Sequence, residues 1–146
     1  MIPPHEEESG NLPPGLHLAT WGEVASRFGG SERRLDLLAG LKQALLSLRS
    51  AGCRQAYLDG SFVTTKEAPG DFDACWEASG VDASRLDSAL LTFANRRAAQ
   101  KSKFGGELFP AESAVAPDGT RFLEYFQRDS RTGEAKGIVA IELSTL

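Results

Sequence analysis

Leucines recur with helical spacing in the first third of the chain. The steps of three and four between them predict an amphipathic helix over about residues 32–51, with Ser31 as its cap and Gly52 at its end. Thr20-Trp21-Gly22-Glu23 forms a capping box that starts a shorter helix over about 21–28. We expect the long helix to cover one face of a sheet with its apolar stripe, which consists of Leu35, Leu38, Leu41, Leu45 and Leu48.

Three segments have the pattern of β-strands: residues 54–58, 71–77 and 138–143. In the second of these, apolar and polar residues alternate. Side chains of a strand point alternately to the two faces of the sheet. The alternation therefore places Asp71, Asp73 and Cys75 on one face and Phe72, Ala74 and Trp76 on the other.

The second half of the chain has a weaker pattern. We predict a helix over about 84–95, with Leu86, Leu90 and Phe93 on one face, followed by a basic helix over about 96–104. A strand over about 107–116 is interrupted by Pro110, and residues 121–127 fit a short helix better than a strand. The order of elements predicts an α+β or α/β fold, with a mixed β-sheet and helices packed on one side.

The chain divides into an N-terminal arm and one domain. Residues 1–19 contain four of the seven prolines and are expected to be extended, because proline fixes its own φ and keeps the preceding residue out of the helical region. Residues 20–146 have the length of a single domain. We expect the arm to lie across the body of that domain through Ile2, Leu12 and Leu16.

Charge and hydropathy exclude some classes of protein. The net charge of −4 argues against a protein that coats nucleic acid non-specifically. No apolar run reaches the roughly 18 residues of a membrane span, the N-terminus is acidic, and Cys53 and Cys75 are expected to be buried free thiols. These features predict a cytoplasmic protein without a membrane partner.

The most informative stretch is a Gly60-Ser61 turn followed, ten residues later, by Asp71 and Asp73 on a strand. Two carboxylates one residue apart on a strand point the same way, and Mg²⁺ prefers hard oxygen ligands together with water and substrate phosphates. Glycine allows the backbone to approach a phosphate, and the serine hydroxyl can donate a hydrogen bond to it. Lys66, in the loop between the motifs, is either a charge for a triphosphate or a solvated side chain.

Each of these motifs alone is common on protein surfaces. Paired aspartates are frequent on solvated strands, and a Gly-Ser dipeptide occurs in many turns. Their combination after an amphipathic helix favours a metal-dependent site, because two like charges at this spacing repel each other unless a cation or a proton neutralises them.

Residues 58–77 resemble the signature of the DNA polymerase β-like nucleotidyltransferase superfamily, and particularly its minimal members. The whole chain is also similar to a family of bacterial proteins that share a Met-Ile-Pro-Pro opening. The other shared motifs are Leu12–Gly15 with His17, Gly60–Thr64 and Gly105–Pro110.

The resemblance implies a nucleotidyltransferase-like fold in which Gly60 and Ser61 cradle phosphate and Asp71 and Asp73 bind Mg²⁺. The superfamily has a third carboxylate on a later strand. The candidates here are Glu107 and Glu112, and we favour Glu107 because it follows the Gly105-Gly106 break, where a strand should start.

The implied activity is transfer of a nucleotidyl group from an NTP to a protein or RNA hydroxyl, in a toxin–antitoxin or defence system with a partner protein encoded nearby. The alternative is an inactive nucleotidyltransferase-like antitoxin or regulatory module, because a chain this short has no helical domain to hold an acceptor. The predicted helix over 96–104 carries a basic cluster of Arg96, Arg97, Lys101 and Lys103. This cluster could contact triphosphate or RNA, although a solvated helix face is the default interpretation. The sequence leaves open whether the chain forms a homo-oligomer.

Overall fold

Five strands form one mixed sheet in the computed structural model, which describes residues 1–146. Their order across the sheet is β1-β5-β2-β3-β4. The β1–β5 and β3–β4 pairs are parallel, and the β5–β2 and β2–β3 pairs are antiparallel. The strands are β1 (Gly15–Ala19), β2 (Gln55–Asp59), β3 (Phe72–Trp76), β4 (Gly106–Pro110) and β5 (Gly137–Glu142).

Four helices accompany the sheet, so the predicted mixed α/β class is confirmed. The two predicted N-terminal caps are present: Thr20 Oγ1 accepts a hydrogen bond from Glu23 N at 3.2 Å, and Ser31 Oγ accepts one from Arg34 N at 3.2 Å. None of the helices has both the length and the apolarity needed to cross a membrane. The helices are α1 (Trp21–Phe28), α2 (Glu32–Ser50), α3 (Ala94–Phe104) and α4 (Phe122–Tyr125).

One face of the sheet is covered by α1, α2 and α3 and contains the main hydrophobic core. Phe72, Ala74 and Trp76 of β3 point into this core, as the alternation predicts. The opposite face carries a cluster of six buried residues at one end, beneath the segment that contains α4. The prediction that all helices pack on one side is therefore wrong for α4, whose Phe122 and Leu123 pack against that smaller cluster.

The buried stripe of α2 differs from the predicted one at its first turn. Leu35 is 56% exposed, whereas Arg34 and Leu37 are buried. The Arg34 guanidinium faces inward because backbone carbonyl groups accept its hydrogen bonds, which offsets the cost of burying the charge.

The structure corrects two further expectations. The helix predicted over 84–95 is absent: two 3₁₀ turns, Ala83–Arg85 and Ser88–Leu91, occupy half of this segment, and α3 begins only at Ala94. Each turn is capped by the side chain of the aspartate before it, a local hydrogen bond that competes with helix formation. The strand predicted over 107–116 ends at Pro110.

The N-terminal arm is integrated into the fold. Ile2 and Leu12 are buried, as expected, but Leu16 is 47% exposed. Residues 15–19 form the edge strand β1, which pairs in parallel with β5. The arm thus supplies one of the five strands, a role that the proline pattern does not indicate.

Candidate functional site

Three carboxylates lie side by side on the open face of the sheet, beyond the end of the smaller cluster. Asp59 is the register partner of Asp73, and Asp73 is the register partner of Glu107. Neighbouring strands are about 4.8 Å apart, so these side chains emerge at one level on β2, β3 and β4. We call Asp59, Asp73 and Glu107 the acidic row.

The two ends of the acidic row are neutralised by cations. Lys136 Nζ lies 2.9 Å from Asp59 Oδ1, and both side chains are largely buried. At the other end, Glu107 Oε1 lies 2.9 Å from Lys101 Nζ and 3.2 Å from Arg97 Nη2. Asp73, in the middle of the row, has no ion pair.

Burial raises the pKa of Asp73 to about 7, and the neighbouring carboxylates Asp71, Asp59 and Glu107 contribute to the rise. Burial also raises the pKa of Asp71, with a further contribution from Glu107, against the opposing effect of Lys101. When Asp73 is ionised, the centre of the row carries negative charge without an ion-pair partner, and a bound cation would stabilise that form.

The Gly60-Ser61 turn lies directly against Asp73. β2 ends at Asp59, and Gly60 adopts φ +87°, a conformation that side chains with a β-carbon rarely adopt. A β-carbon on Gly60 would lie 2.9 Å from Asp73 Oδ2. Both the backbone conformation and the close approach therefore require glycine, and the turn stays next to the carboxylate.

The loop after this turn is anchored by two consecutive arginines of α2. The buried Arg34 guanidinium donates hydrogen bonds to the carbonyl oxygens of Phe62 at 2.6 Å, Thr64 at 3.0 Å and Lys66 at 2.7 Å. Arg33 donates to the carbonyl oxygens of Pro69 and Gly70 at the other end of the loop. These hydrogen bonds to α2 fix the position of the loop that joins the Gly60-Ser61 turn to Asp71.

A cleft of about 560 Å³ opens above the turn, and we call it the Gly60–Ser61 cleft. Its lining is mostly polar, and its cationic side chains face the carboxylates Asp59 and Asp73. The cations are Lys66, Arg128, Arg131 and Lys136.

The outer wall of this cleft is the loop between α4 and β5. Asp129 holds this loop in place: the backbone N–H of Arg131 donates to its Oδ1 at 2.9 Å, and the Asn11 amide donates to its Oδ2 at 3.0 Å. These hydrogen bonds hold the pKa of Asp129 well below its usual range. Through Asn11, the N-terminal arm fixes one wall of the cleft.

Asp71 does not line this cleft. It lines a separate depression of about 560 Å³ between α2 and α3, which we call the α2–α3 depression. Asp73 lies on β3, whereas Asp71 directly precedes the strand, and each aspartate lines a different cavity. The prediction that both carboxylates point the same way from one strand is therefore wrong for Asp71.

A family model matches residues 3–142 of the chain, and its description is a family of unknown function, DUF6932. The chain belongs to the DUF6932 family. The searches of curated proteins and of solved structures gave no significant match. The family assignment carries no function, so the interpretation of this DUF6932 chain rests on its own residues.

Of the two candidates for a third carboxylate, only Glu107 lies beside an aspartate of the pair, because it is the register partner of Asp73. Glu112 lies beyond the end of β4, where its oxygens accept a hydrogen bond from Ala78 N at 3.3 Å. Glu107 is half-buried beside Asp73, whereas Glu112 is exposed.

The donor set suits Mg²⁺ as a shared ligand of protein and substrate. No group of three or more histidine, cysteine, aspartate or glutamate side chains is placed to hold a metal ion by itself. Asp59 and Glu107 are engaged by cations, which leaves Asp71 and Asp73 as oxygen donors. Mg²⁺ typically takes one or two carboxylates and completes its shell with water and substrate phosphates. Asp73, beside the Gly60-Ser61 turn, suits this role, and Asp71 would join it only if its oxygens turned from the depression towards Asp73.

Sequence reasoning missed the roles of Asp59 and Arg34, and it did not pair Lys136 with Asp59. Asp59 directly precedes Gly60, and its position at the end of a strand was a usable signal. Lys136 is 77 residues away from Asp59 in the chain, so only the pairing of β2 with β5 brings them together. Nothing in the apolar periodicity of α2 distinguishes Arg34 from an ordinary solvated arginine.

Proposed function

We propose that this chain is a Mg²⁺-dependent nucleotidyltransferase of the minimal DNA polymerase β-like type. It transfers a nucleotidyl group from an NTP to a hydroxyl group of RNA or protein. The observation that carries the proposal is the contact of Gly60 with Asp73: a β-carbon at Gly60 would lie 2.9 Å from the carboxylate. A phosphate bound at the turn would then lie next to Asp73, one of the two proposed metal ligands.

In the Gly60–Ser61 cleft, the turn and the surrounding cations bind the triphosphate. The Ser61 hydroxyl donates a hydrogen bond to a phosphate oxygen, and Lys66 and Arg128 supply positive charge from the two walls. Arg34 contributes indirectly, because it fixes the loop that carries Ser61 and Lys66.

Asp71 and Asp73 would hold the metal, and a bound Mg²⁺ would supply positive charge to the phosphates. Glu107 accepts the proton of the attacking hydroxyl. The new bond joins that oxygen to the α-phosphorus, and the bond from the α-phosphorus to the oxygen bridging to the β-phosphate breaks, so that pyrophosphate leaves. The protein contributes mainly position and charge, as is usual for phosphoryl transfer.

The biological setting that we propose is a two-component toxin–antitoxin or defence system in the bacterial cytoplasm, with a partner protein encoded nearby. Residues 1–146 fold into one five-stranded sheet with its helices, and we propose that the acceptor binds on this sheet domain or on the partner.

The test is incubation of the protein with α-labelled NTPs, Mg²⁺ and a cell extract, followed by separation of labelled RNA and protein. We expect label on an acceptor with the wild type and none with Asp71→Asn/Asp73→Asn. The matched control is Asp82→Asn/Asp118→Asn, which changes two exposed aspartates and keeps their capping ability. Equal labelling by the wild type and the Asp71/Asp73 variant would reject the proposal.

One observation favours the alternative of an inactive binding module. Glu107 is held by Lys101 and Arg97, so the third carboxylate is already paired. A regulatory module would bind its partner protein equally well as wild type and as the Asp71/Asp73 variant, and calorimetry would detect no NTP binding. The transferase predicts NTP binding that requires both aspartates.

A further inference from the structure

The α2–α3 depression and the Gly60–Ser61 cleft share no lining residue, and each is lined by one of the two aspartates. Asp71 faces the depression, and Asp73, two residues further along the chain, faces the cleft. Other polar residues that line the depression are Arg33, Asp36, Gln43, Lys101 and Lys103.

In-line transfer requires the attacking oxygen and the leaving oxygen to lie on opposite sides of the phosphorus. If the triphosphate occupies the Gly60–Ser61 cleft, the attacking hydroxyl approaches from the side of Asp71. We propose that the α2–α3 depression binds the phosphate backbone of a nucleic-acid strand and so presents the hydroxyl at the end of that strand to the aspartates. This inference rests on the proposed function and names the class of its acceptor.

The lysines of α3 are available for phosphates. The Lys101 side chain is 40% exposed and pairs with Glu107, and the Lys103 side chain is 43% exposed and pairs with Asp87. Ion pairs at such exposed positions contribute little, so phosphate groups compete for these ammonium groups effectively. A phosphate bound by Lys101 also lies near Glu107, the carboxylate that takes the proton of the hydroxyl.

The rim of the depression is fixed independently of a ligand. Arg33 donates to the carbonyl oxygens of Pro69 and Gly70, which directly precede Asp71. This arginine keeps its positive charge at the rim while it holds the backbone before Asp71 in place.

The lining favours nucleic acid over a protein acceptor. Peptides are usually anchored by apolar side chains in apolar pockets. The three apolar residues here are Leu37, Ala39 and Phe104, and two of them, Leu37 and Phe104, are only 2% exposed. The three cations of the lining outnumber its two carboxylates, Asp36 and Asp71, and a small excess of positive charge with little apolar surface suits a phosphate backbone better than a peptide.

The test measures RNA binding without metal or NTP. A fluorescein-labelled single-stranded RNA of ten nucleotides, and DNA of the same sequence, are titrated with protein in EDTA and followed by fluorescence anisotropy. The variants are Lys101→Ala/Lys103→Ala, the charge-keeping Lys101→Arg/Lys103→Arg, and the matched control Arg54→Ala/Arg85→Ala, which removes two exposed cations elsewhere. Circular dichroism melts confirm that each variant is folded, and Lys101→Gln/Lys103→Gln replaces the alanine variant if it does not fold.

We expect the alanine variant to bind about 10-fold more weakly, with a slope of log affinity against log salt that is smaller by about 1.4, from roughly 0.7 for each lost phosphate contact. The arginine variant and the control keep wild-type affinity. Unchanged affinity of the alanine variant, or an equal loss in the control, overturns the inference.

The failure of this inference is distinguishable from the failure of the proposed function. If NTP-dependent labelling of RNA or protein is observed but Lys101 and Lys103 contribute nothing to RNA affinity, the acceptor site is rejected. The proposed transferase activity then stands. Lysine-dependent RNA binding without any nucleotidyl transfer rejects the transferase, and with it the interpretation of the depression as an acceptor site.

Discussion

The two faces of the sheet are built from alternate residues of the same strands, yet they differ in almost every physical property. The face under α1–α3 buries a cluster of 28 residues, and the open face buries six at one end and presents the acidic row at the other. In β3, Phe72 and Ala74 belong to the covered face, and Asp73 between them belongs to the open face.

Neighbouring residues of one strand thus serve different purposes: those of the covered face stabilise the fold, and those of the open face form the candidate site. Burial of apolar surface stabilises the covered face. On the open face, burial and, after it, the neighbouring carboxylates raise the pKa of Asp73, so the ionised form of this side chain is electrostatically unfavourable in the fold. Replacing a core side chain of the covered face and replacing the Asp73 carboxylate of the open face should therefore have opposite effects on stability.

The largest effect is expected on the covered face. Phe72→Ala should lower the free energy of unfolding by about 4 kcal/mol, because it leaves a cavity under a fully buried ring. Urea denaturation followed by circular dichroism measures this change. Phe93→Ala is the control, since Phe93 is 39% exposed, and it should cost much less. Equal costs for the two variants would contradict the assignment of the core to this face.

A smaller loss is expected where the open face buries an ion pair. Lys136→Ala leaves Asp59 buried without its partner and should destabilise the protein by about 3 kcal/mol at pH 8. The loss should shrink as the pH falls, because Asp59 then takes up a proton. Lys103→Ala, which breaks an exposed pair, serves as the comparison in the same denaturation series. A loss for Lys136→Ala that is independent of pH would argue against a buried charged Asp59.

The open face should also contain a substitution that stabilises. The pKa of Asp73 is about 7 in the fold and about 3.9 in an unfolded chain, so the folded protein holds an extra proton between these values. The corresponding stability is complete below pH 4 and is lost as the pH rises to 7. Asp73→Asn should therefore be more stable than the wild type by roughly 2 kcal/mol at pH 8, and by almost nothing at pH 4.

Thermal denaturation at several pH values checks this prediction. Asp82→Asn, at an exposed position, should give no gain at pH 8. An Asp73→Asn variant that is less stable than the wild type at pH 8 would mean that the carboxylate is stabilised in the fold, contrary to its surroundings.

The smallest effect concerns the ligand. The Mg²⁺–NTP complex, at about ten times its dissociation constant, should stabilise the wild type by about 1.4 kcal/mol and leave Asp71→Asn/Asp73→Asn unchanged. Differential scanning calorimetry with and without the ligands measures both. A shift of equal size in the variant would show that the nucleotide binds elsewhere.

The elements with strong periodicity could be predicted from the sequence. The leucine stripe predicts α2, and the alternation in residues 71–77 predicts the facing of Asp73 and Phe72 that the structure confirms. The Gly60-Ser61 turn follows from glycine's conformational freedom. In these cases the local pattern and the tertiary contacts agree.

The remaining features depend on contacts between distant segments or on competing local hydrogen bonds. β1 exists because Gly15–Ala19 pairs with β5, more than 100 residues later in the chain. Residues 84–95 lose their predicted helix to aspartate-capped turns, and Asn95, Arg96 and Arg97 then adopt positive φ, which brings Arg97 to Glu107. A periodicity of apolar residues contains no information about either arrangement.

The most direct measurement of the central claim is the binding of Mn²⁺, as a paramagnetic substitute for Mg²⁺, in the presence of a non-hydrolysable NTP analogue. Electron paramagnetic resonance of the free ion gives the bound fraction for the wild type, for Asp71→Asn/Asp73→Asn and for the control Asp82→Asn/Asp118→Asn. The account predicts analogue-dependent Mn²⁺ binding in the wild type and the control, and none above the analogue alone in the Asp71/Asp73 variant. Equal binding by all three proteins would contradict it.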